Sequence, residues 1–153
     1  MLTTGVDIIE IPRVQRVLAG YGRRFLERIF TEGEIAYCRG RAPNLAARFA
    51  AKEATMKALG TGTRGVSWKD IEVLRRESGE PHIRLSGRAE ACAQRLGVVE
   101  ISLSLSHCQE YAVAFVVTQS GVTQSGVTPS GVTPSGVTPS GVAPSGVAQS
   151  DGT

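Results

Sequence analysis

The chain has 153 residues, 41% of them apolar and 20% charged, with a formal charge of +3. That length suits one domain, and no apolar run approaches the ~20 residues that span a bilayer. Three cysteines, odd in number and with no CxxC pair, argue against a zinc site or a disulfide framework.

From Thr118 onward the sequence repeats a pentapeptide: TQSGV twice, TPSGV three times, APSGV, then AQSDGT. Ser, Thr, Gly and Pro at this density cannot bury enough apolar area to offset chain entropy. Residues 118–153 are therefore read as a disordered tail, and residues 1–117 as the folded domain. A five-residue period is also too short for a stacking solenoid, whose repeats run to ~20 residues or more. All seventeen basic residues and thirteen of the fourteen acids lie in the domain, which carries a formal +4. Mild positive charge suits an acidic or phosphate-bearing partner without choosing among nucleic acid, acidic protein and nucleotide.

In chain order, Leu2 to Ile9 reads as a short apolar strand. Pro12 fits the first turn of a helix, where its missing N–H costs nothing. Val14, Val17 and Leu18 give that helix an apolar stripe, Gly20 and Gly22 interrupt it, and Arg23 to Phe30 resumes it. Thr31-Glu-Gly-Glu34 is a capping box opening a helix from about Glu32 to Arg39. Pro43-Asn44 opens the next helix, with Asn44 its N-cap. This helix runs to about Leu59 and stops at Gly60-Thr-Gly62. Trp68 to Arg75 and His82 to Leu85 are strands of one hairpin, joined by the turn Ser78-Gly-Glu-Pro81. Gly87 to Leu96 is a helix, and Val99 to Leu105 and Tyr111 to Val117 form a second hairpin around the turn Ser106 to Glu110. The order β-α-α-α-β-β-α-β-β predicts an α+β fold with antiparallel pairing and a long helix on the sheet.

Chemistry concentrates in Arg48-Phe-Ala-Ala-Lys-Glu-Ala-Thr-Met-Lys57. Residues three and four apart share a helix face, so Glu53 neighbours Lys57 and Arg48 neighbours Lys52. One acid and three bases on an Ala-rich helix suit a metal ion beside phosphate groups. Asp7, inside the apolar run Gly5-Val-Asp-Ile-Ile9, is costly there without a charged partner or a metal. Mg²⁺ is usually held by one or two carboxylates plus substrate phosphates, and Asp7 with Glu53 meets that description. The plainer readings are a solvated edge-strand acid for Asp7 and a surface Glu53–Lys57 ion pair. Lys57 and Arg48 are candidate phosphate contacts, the second through its planar fork. Gly60-Thr-Gly-Thr-Arg-Gly65 could meet a phosphate with backbone N–H groups, but reads first as a helix cap. It is no P-loop, because no Gly-Lys-Ser/Thr precedes a helix. His107 falls in a hairpin turn. Cys108 beside it lacks a nucleophile's expected geometry, since sequence neighbours seldom form such a pair.

Five segments together resemble one family: Gly5 to Ile9, Phe25 to Thr31 with Glu34, Arg48 to Gly62, Gly79-Glu-Pro81, and Ser104-Leu-Ser-His107. They are similar to the holo-[acyl-carrier-protein] synthases among the 4′-phosphopantetheinyl transferases, across essentially all of residues 1–117. The resemblance implies transfer of phosphopantetheine from coenzyme A to a serine of apo-acyl carrier protein, releasing adenosine 3′,5′-bisphosphate, in fatty acid biosynthesis. It implies Mg²⁺ on Asp7 and Glu53, charge neutralisation by Lys57, and Glu53 or a metal-bound water as acceptor of the serine proton. It further implies contacts to coenzyme A from Arg48, Lys57, Gly62 and His107, and to the acidic carrier protein from Arg13, Arg16 and Arg24. Ile9, two residues after Asp7, stands where the longer branch has a third acid, which matches the short branch and its homotrimers with shared sites. With no signal peptide pattern at Met1-Leu-Thr-Thr, a cytoplasmic enzyme binding neither nucleic acid nor membrane is expected. The alternative is a non-catalytic basic module for RNA or an acidic protein, which leaves both acids unexplained and lacks an aromatic stacking face.

Overall fold

The computed structural model describes residues 1–121, and the remainder of the repeat tail lies outside the described residues. Strand β1 (Leu2–Glu10) leads into helix α1 (Ile11–Ile29), then α2 (Glu32–Cys38) and α3 (Ala42–Ala58). A four-residue helix α4 (Gly62–Gly65) and a single 3₁₀ turn (Trp68–Asp70) follow. The hairpin β2 (Ile71–Arg75) and β3 (Pro81–Leu85), helix α5 (Gly87–Arg95), and the hairpin β4 (Val98–His107) and β5 (Tyr111–Ser120) complete the domain. Two antiparallel sheets result, one of order β1-β5-β4 and one of β2-β3. The α+β class and the antiparallel pairing are as expected.

Helix α3 is the axis of the domain, with twelve of its seventeen residues buried. Ala50, Ala51, Ala54 and Ala58 pack against Ala114 and Val116 of β5, and small side chains on both elements let the backbones approach closely. At Gly5 the approach is closest: a Cβ there would collide with the Ala54 carbonyl oxygen and lie 2.8 Å from the Ala58 nitrogen. Thr3 Oγ1 donates to the Ala58 carbonyl at 2.8 Å, fixing β1 on the end of α3.

Several local expectations shift. Helix α1 is interrupted at Gly22 as read, by a φ of 51° and a ψ of −128° that only glycine adopts readily. The capping box at Thr31 forms as read, with Glu34 N donating to Thr31 Oγ1 at 3.2 Å and Thr31 N to Glu34 Oε2 at 2.9 Å. Asn44 is not the N-cap of α3: Arg41 holds that position, and Pro43 sits in the first turn, where the absent N–H is tolerated. The C-terminus of α3 closes as a Schellman motif, with Gly60 N donating to Lys57 O and Thr61 N to Met56 O, both at 3.1 Å. Trp68 to Asp70 is not strand, because Asp70 Oδ2 and the Ser67 hydroxyl cap a 3₁₀ turn there. His107 is the last residue of β4, paired with Ala112, rather than a turn residue. Strand β5 runs three residues into the first repeat, because Thr118 is buried and its hydroxyl meets Thr3 Oγ1 at 2.5 Å.

Candidate active site

Because α3 is packed on nearly every side, the residues it leaves open are informative. Phe49, Glu53 and Lys57 recur at intervals of four, one stripe down the helix. All three line a cleft of about 380 Å³ between that stripe, β1 and α1. Asp7, Ile8 and Ile9 supply the strand wall, and Arg13, Val14, Val17 and Phe25 the α1 wall. The cleft is thus apolar over much of its lining, with two carboxylates, one ammonium and one guanidinium converging on it.

Lys57 does not pair with Glu53 as the surface reading had it. Its Nζ donates to Asp7 Oδ1 at 2.9 Å and to the Val6 carbonyl at 2.8 Å. Among the described residues the buried Asp7 Oδ2 has no hydrogen-bond partner, an arrangement that costs free energy while it lasts. Glu53 holds its proton more tightly than an ordinary glutamate. Burial is the main cause and the Asp7 charge the second, with Lys57 opposing both. A glutamate pushed toward its neutral form beside an aspartate with an orphaned oxygen makes a suitable donor pair for a hard divalent cation. Asp7 and Glu53 therefore fit Mg²⁺, with room in the cleft for waters or phosphate oxygens to complete its shell. Among the described residues there is no cluster of three or more His, Cys, Asp or Glu able to cage a metal unaided.

The other two bases of the helix face elsewhere. Lys52 is wholly enclosed and forms a 2.8 Å ion pair with Glu34, itself buried. Lys52 Nζ also donates to the Trp68 carbonyl at 2.9 Å and the Ile71 carbonyl at 2.5 Å. Burial pulls its pKa down while Glu34 pushes it back up. Lys52 is thus structural, and the expectation that it stands beside phosphate is corrected. Arg48 is buried, its Nε has no partner among the described residues, and its guanidinium lies 4.1 Å above the Tyr37 ring.

Of the residues singled out in the sequence, the structure brings Asp7, Glu53, Lys57 and Arg13 to one cleft. Arg24 lines a neighbouring groove with Val17, Tyr21, Phe25 and Arg28, and Arg16 is exposed on the same helix. Arg48, Gly62 and His107 do not line the cleft within this chain. Phe49 and Phe25 also line it, though neither is among the site residues expected from the sequence. The signal was available for Phe49, which stands four residues before Glu53 on the same face.

Residues 3–116 match the family described as the 4′-phosphopantetheinyl transferase superfamily. The chain is 53% identical over 119 residues to a holo-[acyl-carrier-protein] synthase of Dehalococcoides mccartyi, covering 78% of this chain and 99% of that one. It is also 53% identical over 116 residues to one of Gloeobacter violaceus, covering 73% and 88%. Among solved structures, the fold is similar to Helicobacter pylori holo-[acyl-carrier-protein] synthase in complex with coenzyme A, with a TM-score of 0.70, 32% identity, and coverage of 76% and 99%. The Neisseria meningitidis enzyme gives a TM-score of 0.71 at 35% identity, covering 76% and 97%. With this coverage and identity on top of the cleft's chemistry, the chain belongs to the 4′-phosphopantetheinyl transferase superfamily, in its holo-[acyl-carrier-protein] synthase family.

Proposed function

We propose that this protein transfers the 4′-phosphopantetheine arm of coenzyme A to a serine of apo-acyl carrier protein, releasing adenosine 3′,5′-bisphosphate. The observation that carries the mechanism is the meeting of Asp7, with its orphaned buried Oδ2, and Glu53 and Lys57 in one cleft. The serine oxygen forms a bond to the β-phosphorus, and the bond from that phosphorus to the oxygen shared with the α-phosphate breaks. Little covalent work falls to the protein in such a step, so positioning and charge neutralisation dominate. Asp7 and Glu53 would hold Mg²⁺, which supplies neutralisation of the diphosphate charge. Lys57 offers a point charge to the same oxygens. Glu53 would receive the serine proton, directly or through a water in the cleft.

The carrier protein would dock on the basic α1 surface of Arg13, Arg16 and Arg24, all exposed. Charge complementarity of that kind steers an acidic partner and sets register. Self-association has separate support. On the face of the sheet turned away from α3, Val6, Ile8 and Phe115 are 53%, 63% and 46% exposed. Val6 pairs with Phe115 and Ile8 with Val113 across β1 and β5, which makes the patch continuous. Contiguous exposed apolar area marks an interaction surface. A homotrimer built on this face would let Arg48, Gly62 and His107 of one copy serve the cleft of its neighbour. The experiment is mass spectrometry of apo-acyl carrier protein after incubation with the protein, coenzyme A and Mg²⁺. A gain of one phosphopantetheine that disappears with EDTA is expected. No gain on any of several carrier proteins, from folded protein, would overturn the reading.

A further inference from the structure

Lys57 is asked to meet substrate phosphates, yet its ammonium is already engaged. Two of its three N–H bonds go to β1, one to Asp7 Oδ1 at 2.9 Å and one to the Val6 carbonyl at 2.8 Å. Asp7 is left half satisfied by a cation that the chain supplies itself, its other oxygen being buried without a partner. The Lys57 side chain is 51% exposed and that of Asp7 16%, so the lysine end of the pair is free to swing outward while the aspartate is not. Among the described residues Asp7 has no other ion-pair partner, and Lys57 is paired with no acid but Asp7.

We infer that Lys57 is a built-in counter-ion of Asp7 that an arriving divalent cation displaces, so that metal entry delivers the ammonium to the anionic substrate. The inference rests on the reading that Asp7 and Glu53 hold the metal. A divalent and a monovalent cation on one carboxylate repel each other at short range, and the divalent ion, which also has Glu53, wins that contest. Leaving costs Lys57 only two hydrogen bonds at the protein surface, where water replaces them readily. Once displaced, its flexible four-carbon stem places the charge over the cleft rather than on its strand wall. Metal would therefore bind first and improve phosphate affinity beyond its own direct contact, and by linkage phosphate would improve metal affinity equally.

The probe is Mn²⁺ alone, without coenzyme A, with free Mn²⁺ followed by electron paramagnetic resonance. Lys57→Met should bind Mn²⁺ more tightly than wild type, roughly tenfold, because the competing charge is gone. Asp7→Asn should lose the site. In the wild-type protein labelled with ¹⁵N-lysine, the Lys57 ammonium signal should be visible and protected from exchange without metal, and should shift or broaden on saturation with Mg²⁺. An Mn²⁺ affinity that depends on Asp7 but is no tighter in Lys57→Met overturns this inference alone. So does a Lys57 signal unchanged at saturating Mg²⁺. An Mn²⁺ affinity indifferent to Asp7→Asn overturns the metal-site reading and the inference with it.

Discussion

The enclosed Lys52–Glu34 pair makes the sharpest stability prediction. Lys52→Met keeps most of the stem volume and removes the charge, so the cavity contribution is small. What remains is a Glu34 carboxylate enclosed with no countercharge, and two carbonyls, of Trp68 and Ile71, that lose their Lys52 donor. Removing one partner of a buried ion pair costs about 3–5 kcal/mol. A domain of this size has about 5–15 kcal/mol in all, so the variant should be folded but near its margin. Urea unfolding at fixed protein concentration is the assay, and fixing the concentration matters if the chain self-associates. Trp68, the sole tryptophan, is a local reporter, stacked on Phe49 at 4.9 Å and joined to Lys52 through its carbonyl. With a urea slope of about 1–3 kcal/mol/M, the midpoint should fall by roughly 2 M.

The same pair predicts how the loss should depend on pH and on the second partner. In Lys52→Met the lone Glu34 carboxylate sits in low dielectric, which raises its folded-state pKa above the unfolded value. The folded state then binds more protons than the unfolded one, so stability returns as pH falls through the raised pKa. Adding Glu34→Gln to Lys52→Met should cost less than the sum of the two single changes, since a neutral amide keeps an acceptor for Val73 N, which donates to Glu34 Oε1 at 3.0 Å. A Lys52→Met midpoint within about 0.5 M of wild type, corresponding to well under 2 kcal/mol, would refute the view that this lysine holds the domain together.

Asp7→Asn should abolish transfer while leaving the urea midpoint close to wild type, because the side chain keeps an acceptor for Lys57; loss of folding instead would make Asp7 a structural residue. Glu53→Gln should also abolish transfer but raise the melting temperature of metal-free protein at pH 7. The folded-state pKa of Glu53 is raised, so its contribution to stability is fully present below the unfolded value of about 4.3 and is lost as pH rises through the folded one. The gain from Glu53→Gln should accordingly vanish in acid, and a gain independent of pH would contradict this cause. Gly5→Ala forces β1 away from the Ala54 carbonyl and should destabilise by at least the ~1–3 kcal/mol of an overpacked core, read as a lowered urea midpoint. Truncation after Val117 should lower the melting temperature relative to truncation after Gly121, since it removes buried Thr118 and the mutual hydrogen bonds of Met1 and Ser120.

What the sequence made legible follows from the range of the interactions involved. Elements with local causes were readable: the capping box at Thr31 and Glu34 closes within four residues, and the break at Gly22 needs only glycine's φ. Asp7 was readable as a candidate because an acid inside an apolar strand is costly wherever the strand packs. The partner of each charge on α3 was not readable, because a helix face says which residues are neighbours and not what covers them. Glu53 and Lys57 look like an i,i+4 pair, yet Lys57 reaches across to Asp7, fifty positions earlier, once Gly5 has let β1 lie on α3. Lys52 looks like a third surface base, yet it is drawn inward by Glu34 and by two carbonyls, one from the 3₁₀ turn and one from the first residue of β2. In an Ala-rich helix the side chains leave every face available for packing, so hydrophobic periodicity carries little information about which face is open. The open face of α3 was fixed instead by what α3 cannot bury. Glu53 has no cation of its own in the core, so it remains on the stripe facing the cleft, while Lys52 has Glu34 and is enclosed. The stripe of α3 that faces the cleft is in that sense what is left over after the enclosed charges have been paired.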